Sequence, residues 1–253
     1  MQTQPSELTE PTELTELTEL SRMSWTDVPG GATVLVPTGS TEQHGPHLPL
    51  DTDTVIAVAV ARAVAAELGQ QHSRQQGGAA VVVAPALPYG ASGEHQHFPG
   101  TVSLGSEALH AVLVELVRSL STWARRIVFI NAHGGNVAPL ARAVMQMNRE
   151  GHRTAWVPCV AGAVDAHAGR TETSLMLHLA PDSVDLSRAV CGNTTPVAEL
   201  MPAMTAGGVA AVSVSGILGD PAGAGAAEGE ALLRAAVPGV EINGAGAKRQ
   251  PGG

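Results

Sequence analysis

Residues 32 to 54 read Ala-Thr-Val-Leu-Val-Pro-Thr-Gly-Ser-Thr-Glu-Gln-His-Gly-Pro-His-Leu-Pro-Leu-Asp-Thr-Asp-Thr. The first six residues are a mainly apolar run that predicts a strand, and a run of helical character begins at Asp53. The polar segment between them therefore lies where a strand ends, which is where α/β proteins place their chemistry. It concentrates carboxylates and imidazoles, namely Glu42, His44, His47, Asp51 and Asp53. Such groups are costly to bury unless a cation organises them, so this stretch indicates both a fold class and a site.

Apolar and amphipathic runs alternate through the rest of the chain. We predict strands at Ala32–Pro37, Ala79–Ala84, Ile127–Asn131 and Arg153–Val160, and helices at Asp53–Leu68, Ser106–Arg125, Asn136–Glu150, Glu172–Leu179 and Ala226–Ala236. Continuously apolar strands are typical of a sheet that is covered on both faces. The alternation of strands with helices predicts an α/β fold with a mostly parallel sheet and helices on both sides.

The domain organisation follows from length and composition. The chain has 253 residues, enough for one substantial α/β domain. Its first part carries a Glu-Leu-Thr repeat whose three-residue period matches neither a helix nor a strand, so we predict a disordered low-complexity tail at residues 1–21. The Gly-rich residues 244–253 are expected to form a flexible C-terminal tail. Residues 22–243 are then a single folded domain.

Composition excludes several classes of partner. The net charge is −9, and five Glu residues at positions 7 to 19 account for most of it, which leaves −4 for residues 20–253. A mildly acidic body without a basic stripe argues against nucleic acid as a partner. The two cysteines do not make a disulfide framework, so a reducing cytosol is expected. The N-terminal residues lack the pattern of a signal peptide, and the apolar runs are too short to span a bilayer, so we expect a cytoplasmic protein without a membrane partner.

The candidate ligands each have a structural alternative. Glu42 and His44 lie two residues apart, which places both side chains on one side of an extended backbone and favours a two-ligand clamp for a metal. Asp53 opens a helix, where a carboxylate also caps the helix end. His133 follows a predicted strand directly, and a core histidine is about as plausible there as a ligand. Glu172 lies in the first turn of a predicted helix, where interaction with the helix dipole is the simpler interpretation when it is taken alone.

A further polar segment, residues 92–101, reads Ser-Gly-Glu-His-Gln-His-Phe-Pro-Gly-Thr. His95 and His97 are two residues apart, as Glu42 and His44 are, so their side chains would lie on the same side of an extended backbone. An ordinary surface loop is the alternative, but the titratable and hydroxyl groups beside a Phe-Pro-Gly turn favour a substrate-facing loop. We therefore take Ser92, Glu94, His95 and His97 as candidate substrate-binding residues.

The type of chemistry follows from the mixture of side chains. Glu42, Asp53 and Glu172 would supply three negative charges, which suits two divalent cations. Mixed imidazole and carboxylate ligands are typical of zinc, manganese or iron rather than calcium. The sequence has no G-x-S-x-G, no phosphate-binding G-x-x-x-x-G-K-[ST] and no H-E-x-x-H motif. A metal-dependent reaction is thus better supported than a serine nucleophile or a nucleotide site.

These segments, taken together, are similar to those of a known family. The chain resembles the creatininase family of metal-dependent amidohydrolases over about residues 25–240. The motifs that carry the resemblance are Gly39-Ser-Thr-Glu-Gln-His-Gly-Pro-His with Asp53, His-Phe-Pro-Gly-Thr at 97–101, Asn-Ala-His-Gly-Gly-Asn at 131–136, His-Ala-Gly-Arg-Thr-Glu-Thr-Ser at 167–174 and Gly-Asp-Pro at 219–221. The resemblance implies a three-layer α/β/α sandwich, two divalent metal ions per chain and a homo-oligomer, often a hexamer.

The resemblance also implies roles for individual residues. Glu42, Asp53 and His133 would hold one metal ion, and His44, the shared Asp53 and Glu172 would hold the second. The implied role of His167 is that of a catalytic proton shuttle. Two departures stand out: creatininases have a Glu where this chain has Gly135, and a substrate-contacting Trp in the region of Gly162 and Ala163.

Within the family, the run at residues 88–101 looks most like the subgroup of the mycofactocin system. That likeness implies a peptidase that releases the C-terminal unit derived from Val and Tyr from a modified precursor peptide. The alternative is a family amidohydrolase that acts on a small cyclic amide or a formamide. A third hypothesis, a non-catalytic oligomer stabilised by metal, does not account for the loop that carries His95 and His97.

Overall fold

The computed structural model describes residues 19–75, 79–159 and 165–237. The strands are β1 Thr33–Thr38, β2 Val81–Val83, β3 Arg126–Asn131 and β4 Thr154–Pro158. The α-helices are α1 Thr52–Gln75, α2 Ser106–Leu120, α3 Val137–Arg149, α4 Arg170–Leu179, α5 Val197–Gly207 and α6 Ala226–Ala236. Single turns of 3₁₀ helix lie between them, including one at Gly93–His95 and one at Gly134–Asn136.

The described strands form one parallel sheet in the order β2-β1-β3-β4. In its register, Val34 of β1 is opposite Ile127 of β3, and Ile127 is opposite Thr154 of β4. Each parallel connection runs through a helix, as the geometry of parallel strands requires. The predicted α/β class with a mostly parallel sheet is confirmed.

Two apolar cores cover the two faces of the sheet. On one face, Leu35 and Val128 pack with Val60 of α1, and α4 and α6 complete that layer. On the other face, Val34 and Phe129 pack against α2 and α3. Neighbouring residues of one strand point to opposite faces, so the strands must be apolar throughout. The arrangement is the expected three-layer α/β/α sandwich.

Some predicted boundaries need correction. The helix expected at Asp53–Leu68 runs from Thr52 to Gln75, and the one expected to reach Arg125 ends at Leu120, because the chain turns there to enter β3. Helix α5 was not predicted, since it contains Pro202 and follows Pro196, and proline disfavours the interior of a helix. The strand expected to end at Val160 ends at Pro158, and Val160 itself lies outside the described residues.

The start of the described chain is held against the fold. Glu19, which was expected to belong to the tail, lies 2.7 Å from the guanidinium of Arg62, and Leu20 packs on the core formed by β1, α2 and α3. Residues 1–18 and 238–253, which include most of both predicted tails, lie outside the described residues. No helix of the described ranges has the length and apolar character to cross a membrane.

Candidate metal centre

The loop between β1 and α1 folds into a tight turn at the carboxyl edge of the sheet. The backbone N–H of Glu42 donates to the carbonyl of Leu50 at 3.0 Å, and His44 pairs with Leu48 across the turn. Gly45 adopts φ 65°, a left-handed conformation that glycine tolerates without a Cβ clash. The turn leads directly into α1, which places Asp53 in the first turn of that helix beside the loop.

The first candidate ligand group consists of Glu42, Asp53 and His133. Nδ1 of His133 lies 3.2 Å from Oε1 of Glu42 and 3.3 Å from Oδ2 of Asp53. One potential ligand atom from each residue lies within 4.8 Å of the others, a spacing that suits the shell of one metal ion. All three side chains are buried. The structure therefore brings together the first predicted set.

The second ligand group is centred on His44. Its Nε2 lies 3.2 Å from Oδ1 of Asp53 and 3.7 Å from Oε2 of Glu172. Glu172 also accepts a hydrogen bond of 2.6 Å from the backbone N–H of Ala168. This side chain therefore stabilises the segment before α4 and also faces the cluster. Among the described residues, the group whose ligand atoms lie within 4.8 Å of one another is His44, His167 and Glu172, so His167 takes the place that the predicted second set gives to Asp53.

Asp53 joins the two groups. Its Oδ1 faces His44 and its Oδ2 faces His133, while the hydroxyl of Ser40 donates to Oδ2 at 2.8 Å. A carboxylate that is 1% exposed and divides its oxygens between two ligand groups has the geometry of a bridging ligand. The helix-capping interpretation of Asp53 does not describe these contacts. His47 and Asp51 stay outside the cluster: His47 contacts the Thr173 hydroxyl at 2.9 Å, and Asp51 is exposed.

Backbone carbonyls orient His44 and His133, the two histidines predicted to bind metal. Nδ1 of His44 lies 3.2 Å from the carbonyl of Glu42, and Nε2 of His133 lies 3.3 Å from the carbonyl of Ala91. An imidazole that donates one N–H to a carbonyl presents its other nitrogen as an acceptor. The nitrogens left free for a metal are then Nε2 of His44 and Nδ1 of His133, which are the atoms that face Asp53.

Glu42 is the strongest indication that a cation belongs in this cluster. Its side chain is fully buried, and among the described residues neither carboxylate oxygen has a hydrogen-bond partner. A buried carboxylate without such partners is costly. Imidazole nitrogens of His133, His95 and His167 lie 3.2, 3.4 and 3.7 Å from Oε1. The residues therefore fit divalent cations.

The pKa values describe the same cluster in electrostatic terms. Burial raises the pKa of Glu42, but His133, through its charge and its close approach, together with His167 lowers that pKa to about 2. Burial lowers the pKa of His44, but Asp53, Glu172 and Glu42 raise it to about 10. Burial raises the pKa of Glu172 to about 7. Burial lowers the pKa of His133, but the carboxylates raise it above its usual value, so without a metal the protons on His44 and His133 supply positive charge to the carboxylates.

His167 lies inside the cluster, as predicted for a residue that faces the site. Its Nε2 is 2.8 Å from the carbonyl of Gln43, and its ring centroid is 4.3 Å from those of His44 and His95. Burial, together with the charge of His44, holds the pKa of His167 well below its usual value. His167 is therefore a neutral imidazole near pH 7.

The predicted substrate loop is divided between the cluster and solvent. Ser92 and His95 are buried, and the Ser92 hydroxyl and a Glu94 carboxylate oxygen lie 3.4 and 3.6 Å from Nε2 of His133. His97 is exposed and does not join them. The alternation expected for His95 and His97 was wrong because Gly93–His95 is a turn of 3₁₀ helix rather than extended backbone.

Gly135, the first departure from the family pattern, leaves room for the Glu94 loop. A Cβ at position 135 would collide with the carbonyl of Ala91 and the carboxylate of Glu94. Asn136 holds the same loops together, since its side chain accepts from the N–H of Ala91 and donates to the carbonyl of Gly39, both at 2.9 Å. Gly162 and Ala163, the region of the second departure, lie outside the described residues.

A cavity of about 180 Å³ lies beside the ligand groups. His133 and Glu172 form part of its wall, and the apolar part includes Ile56, Val137 and Leu175. A concave apolar space next to polar groups is the usual form of a substrate pocket.

The fold and the site together define an α/β protein with a buried carboxylate and imidazole cluster at the carboxyl edge of a parallel sheet. Residues 21–241 match the family model described as "Creatininase: Creatinine amidohydrolase". The chain is 59% identical over 206 residues to the "Mycofactocin precursor peptide peptidase" of Mycolicibacterium smegmatis, with 81% of each chain covered. It is 30% identical over 243 residues to the "Creatinine amidohydrolase" of Pseudomonas putida, covering 83% of this chain and 88% of that protein. A solved structure described as "Creatininase Mn" superposes with a TM-score of 0.71 at 27% identity and covers 87% of this chain and 95% of that chain.

This chain belongs to the creatininase family of hydrolases that act on C–N bonds. The predicted family and enzyme class are confirmed. The roles of the individual site residues stay predictions.

Proposed function

We propose that this chain is a metal-dependent peptidase of mycofactocin biosynthesis, which cleaves a peptide bond in the modified precursor peptide and releases the C-terminal unit derived from Val and Tyr. The observation that carries the substrate is the 59% identity to the M. smegmatis peptidase over 81% of both chains. The observation that supports the chemistry is the buried and unpartnered carboxylate of Glu42 within the ligand cluster.

Two divalent metal ions would be held by two groups that share Asp53. Glu42, Asp53 and His133 form the first, and His44, Asp53 and Glu172 form the second. Zinc, iron and manganese all suit these ligands. Bound cations of this kind lower the pKa of a water molecule and polarise a carbonyl oxygen.

His167 is the proposed proton carrier. Its Nε2 is committed to the Gln43 carbonyl at 2.8 Å, so Nδ1 is the atom that gains and loses the proton. A neutral imidazole accepts a proton from the attacking water and then donates it to the amine that leaves when the C–N bond breaks. Ser92, Glu94 and His95 line the same centre and are the proposed contacts for the peptide, whereas the exposed His97 lies outside it.

Assembly and location are proposed on separate grounds. We propose a homo-oligomer, a hexamer by family resemblance. A cytoplasmic location is supported by the free thiols of Cys159 and Cys191. A single domain between the two chain ends is supported by the continuous sheet and its two apolar cores.

The test of the activity is peptide release followed by mass spectrometry. The protein is loaded separately with zinc, iron(II) and manganese and incubated with the modified precursor peptide. The unmodified precursor and the Glu42→Gln variant serve as controls. Release of the C-terminal unit from the modified peptide alone, which stops with a chelator and returns with metal, is expected. Failure to cleave with all three metals would overturn the proposed substrate.

A further inference from the structure

Gln43 lies between two proposed metal ligands, and its side chain is 5% exposed. Its Oε1 accepts from the N–H of Gly45 at 2.9 Å, and its Nε2 donates to the carbonyl of Gly216 at 3.0 Å. A backbone N–H can only donate and a carbonyl can only accept, so these two contacts allow one orientation of the carboxamide. The NH₂ group therefore faces the histidines as a donor.

The orientation of Gln43 determines the protonation of His95. Nδ1 of His95 lies 2.8 Å from Nε2 of Gln43, and this nitrogen must accept because its partner is an amide donor. A neutral imidazole that accepts at Nδ1 carries its hydrogen on Nε2. Nε2 of His95 lies 3.4 Å from Oε1 of Glu42. His95 thus presents an N–H, and not a lone pair, to the proposed metal ligand.

His167 is held in the opposite sense by the backbone of the same residue. Its Nε2 is 2.8 Å from the carbonyl oxygen of Gln43 and 3.0 Å from Nε2 of the Gln43 side chain. The two hydrogens of that NH₂ group are directed to His95 and Gly216, so Nε2 of His167 carries its own hydrogen and donates it to the carbonyl. Its Nδ1 is 3.7 Å from Oε1 of Glu42 and presents a lone pair. The two imidazoles therefore approach the same carboxylate with opposite hydrogen-bonding character, although both have nitrogens within the spacing of a metal group.

We infer that Gln43 is a positioning residue, whose side chain fixes His95 as an N–H donor at the metal centre and keeps it out of the metal ligand set, while its backbone carbonyl leaves Nδ1 of His167 free to carry a proton. The group of Glu42, His95 and His167 is then not a third metal position. The N–H of His95 approaches Glu42 at 3.4 Å without forming a hydrogen bond to it, so it is available to a carbonyl oxygen of the bound peptide, a use that rests on the proposed function.

The test combines imidazole nitrogen NMR, metal content and turnover on the zinc-loaded full chain. In wild-type protein, the hydrogen of His95 is expected on Nε2, and His95→Ala is expected to retain the wild-type metal content. Gln43→Met removes the amide donor at similar length. It should shift the Nδ1 resonance of His95, keep the hydrogen of His167 on Nε2 because that nitrogen still faces the backbone carbonyl of residue 43, and lower kcat about 10- to 100-fold. Gln96→Met makes the same chemical change on an exposed residue of the adjoining loop and should alter none of these.

Loss of a metal ion in His95→Ala would overturn the inference, as would unchanged His95 resonances in Gln43→Met. Gln43→Glu covers the case in which Gln43→Met does not fold, since it keeps the acceptor for Gly45 and places an oxygen opposite Nδ1 of His95. The hydrogen should then move to Nδ1, and its absence there would also refute the assignment. If wild-type protein does not cleave the peptide, the proposed function fails, while the NMR and metal results still decide the role of Gln43.

Discussion

Replacing Asp53 with asparagine should remove both metal ions, whereas Glu172→Gln should remove mainly one. The reason is the division of the Asp53 oxygens, with Oδ1 3.2 Å from His44 and Oδ2 3.3 Å from His133. Oε2 of Glu172 lies 3.7 Å from Nε2 of His44. Among the described residues, Glu172 belongs only to the candidate group that contains His44. Asn keeps the shape of Asp53 and removes its charge, so the variant isolates the electrostatic contribution of the bridge.

The expected loss of metal affinity in Asp53→Asn follows from the distances between the Asp53 oxygens and the two imidazole nitrogens. At 3.2 Å and an effective dielectric constant of about 20, a carboxylate attracts a unit positive charge by about 5 kcal/mol. The positions of the two imidazole nitrogens show that both ligand groups lie at this distance from Asp53. Since about 1.4 kcal/mol corresponds to a factor of ten, each metal position should lose affinity on the order of 10³- to 10⁴-fold. The asparagine oxygen remains as a weaker ligand to one position only.

The assay is the metal content of dialysed protein, measured by mass spectrometry of the elements together with zinc titration. Asp51→Asn is the matched control, because it makes the same substitution two residues earlier on an exposed side chain. We expect about two ions per chain in wild type and in the control, about one in Glu172→Gln and almost none in Asp53→Asn. Two retained ions in a folded Asp53→Asn protein would show that Asp53 does not bridge.

Three further outcomes are expected. Zinc affinity should decrease as the pH is lowered from about 8 to about 6, by at least tenfold per pH unit, because His44 must lose its proton before it can bind metal. Burial lowers the pKa of His44, but its carboxylate neighbours raise it to about 10. An affinity independent of pH in zinc titrations would contradict this. His167→Ala should keep its metals and its melting temperature but lose turnover on the order of 10²- to 10⁴-fold, and near-normal peptide release would remove it from the mechanism. Deleting residues 1–18 should leave the melting temperature unchanged, whereas deleting 1–22 should lower it, because Leu20 packs on the core; an equal melting temperature for the two truncations would show that this contact contributes little.

Much of the site could be predicted because it depends on local patterns joined by one rule of topology. Glu42 and His133 each follow an apolar run that predicts a strand, and the carboxyl ends of parallel strands meet at one edge of the sheet. Glu172 was harder to assign, because a carboxylate in the first turn of a helix has an adequate local explanation. In the structure it makes both contacts, one to the backbone of Ala168 and one across the cluster to His44.

The sequence by itself determined the strand, turn and helix at residues 32–54, the alternation of layers and the set of residues able to bind metal, since these follow from side-chain periodicity and from the chemistry of each residue type. Only the tertiary structure decided which side chains meet and which nitrogen each imidazole presents. His97 points away because a 3₁₀ turn replaces extended backbone. Gln43 acquires its role from Gly216, which lies 173 residues further along the chain and fixes the orientation of its carboxamide. A hydrogen-bond network closed by such distant backbone groups leaves no periodic pattern in the sequence, so its consequences for His95 and His167 are visible only in the folded protein.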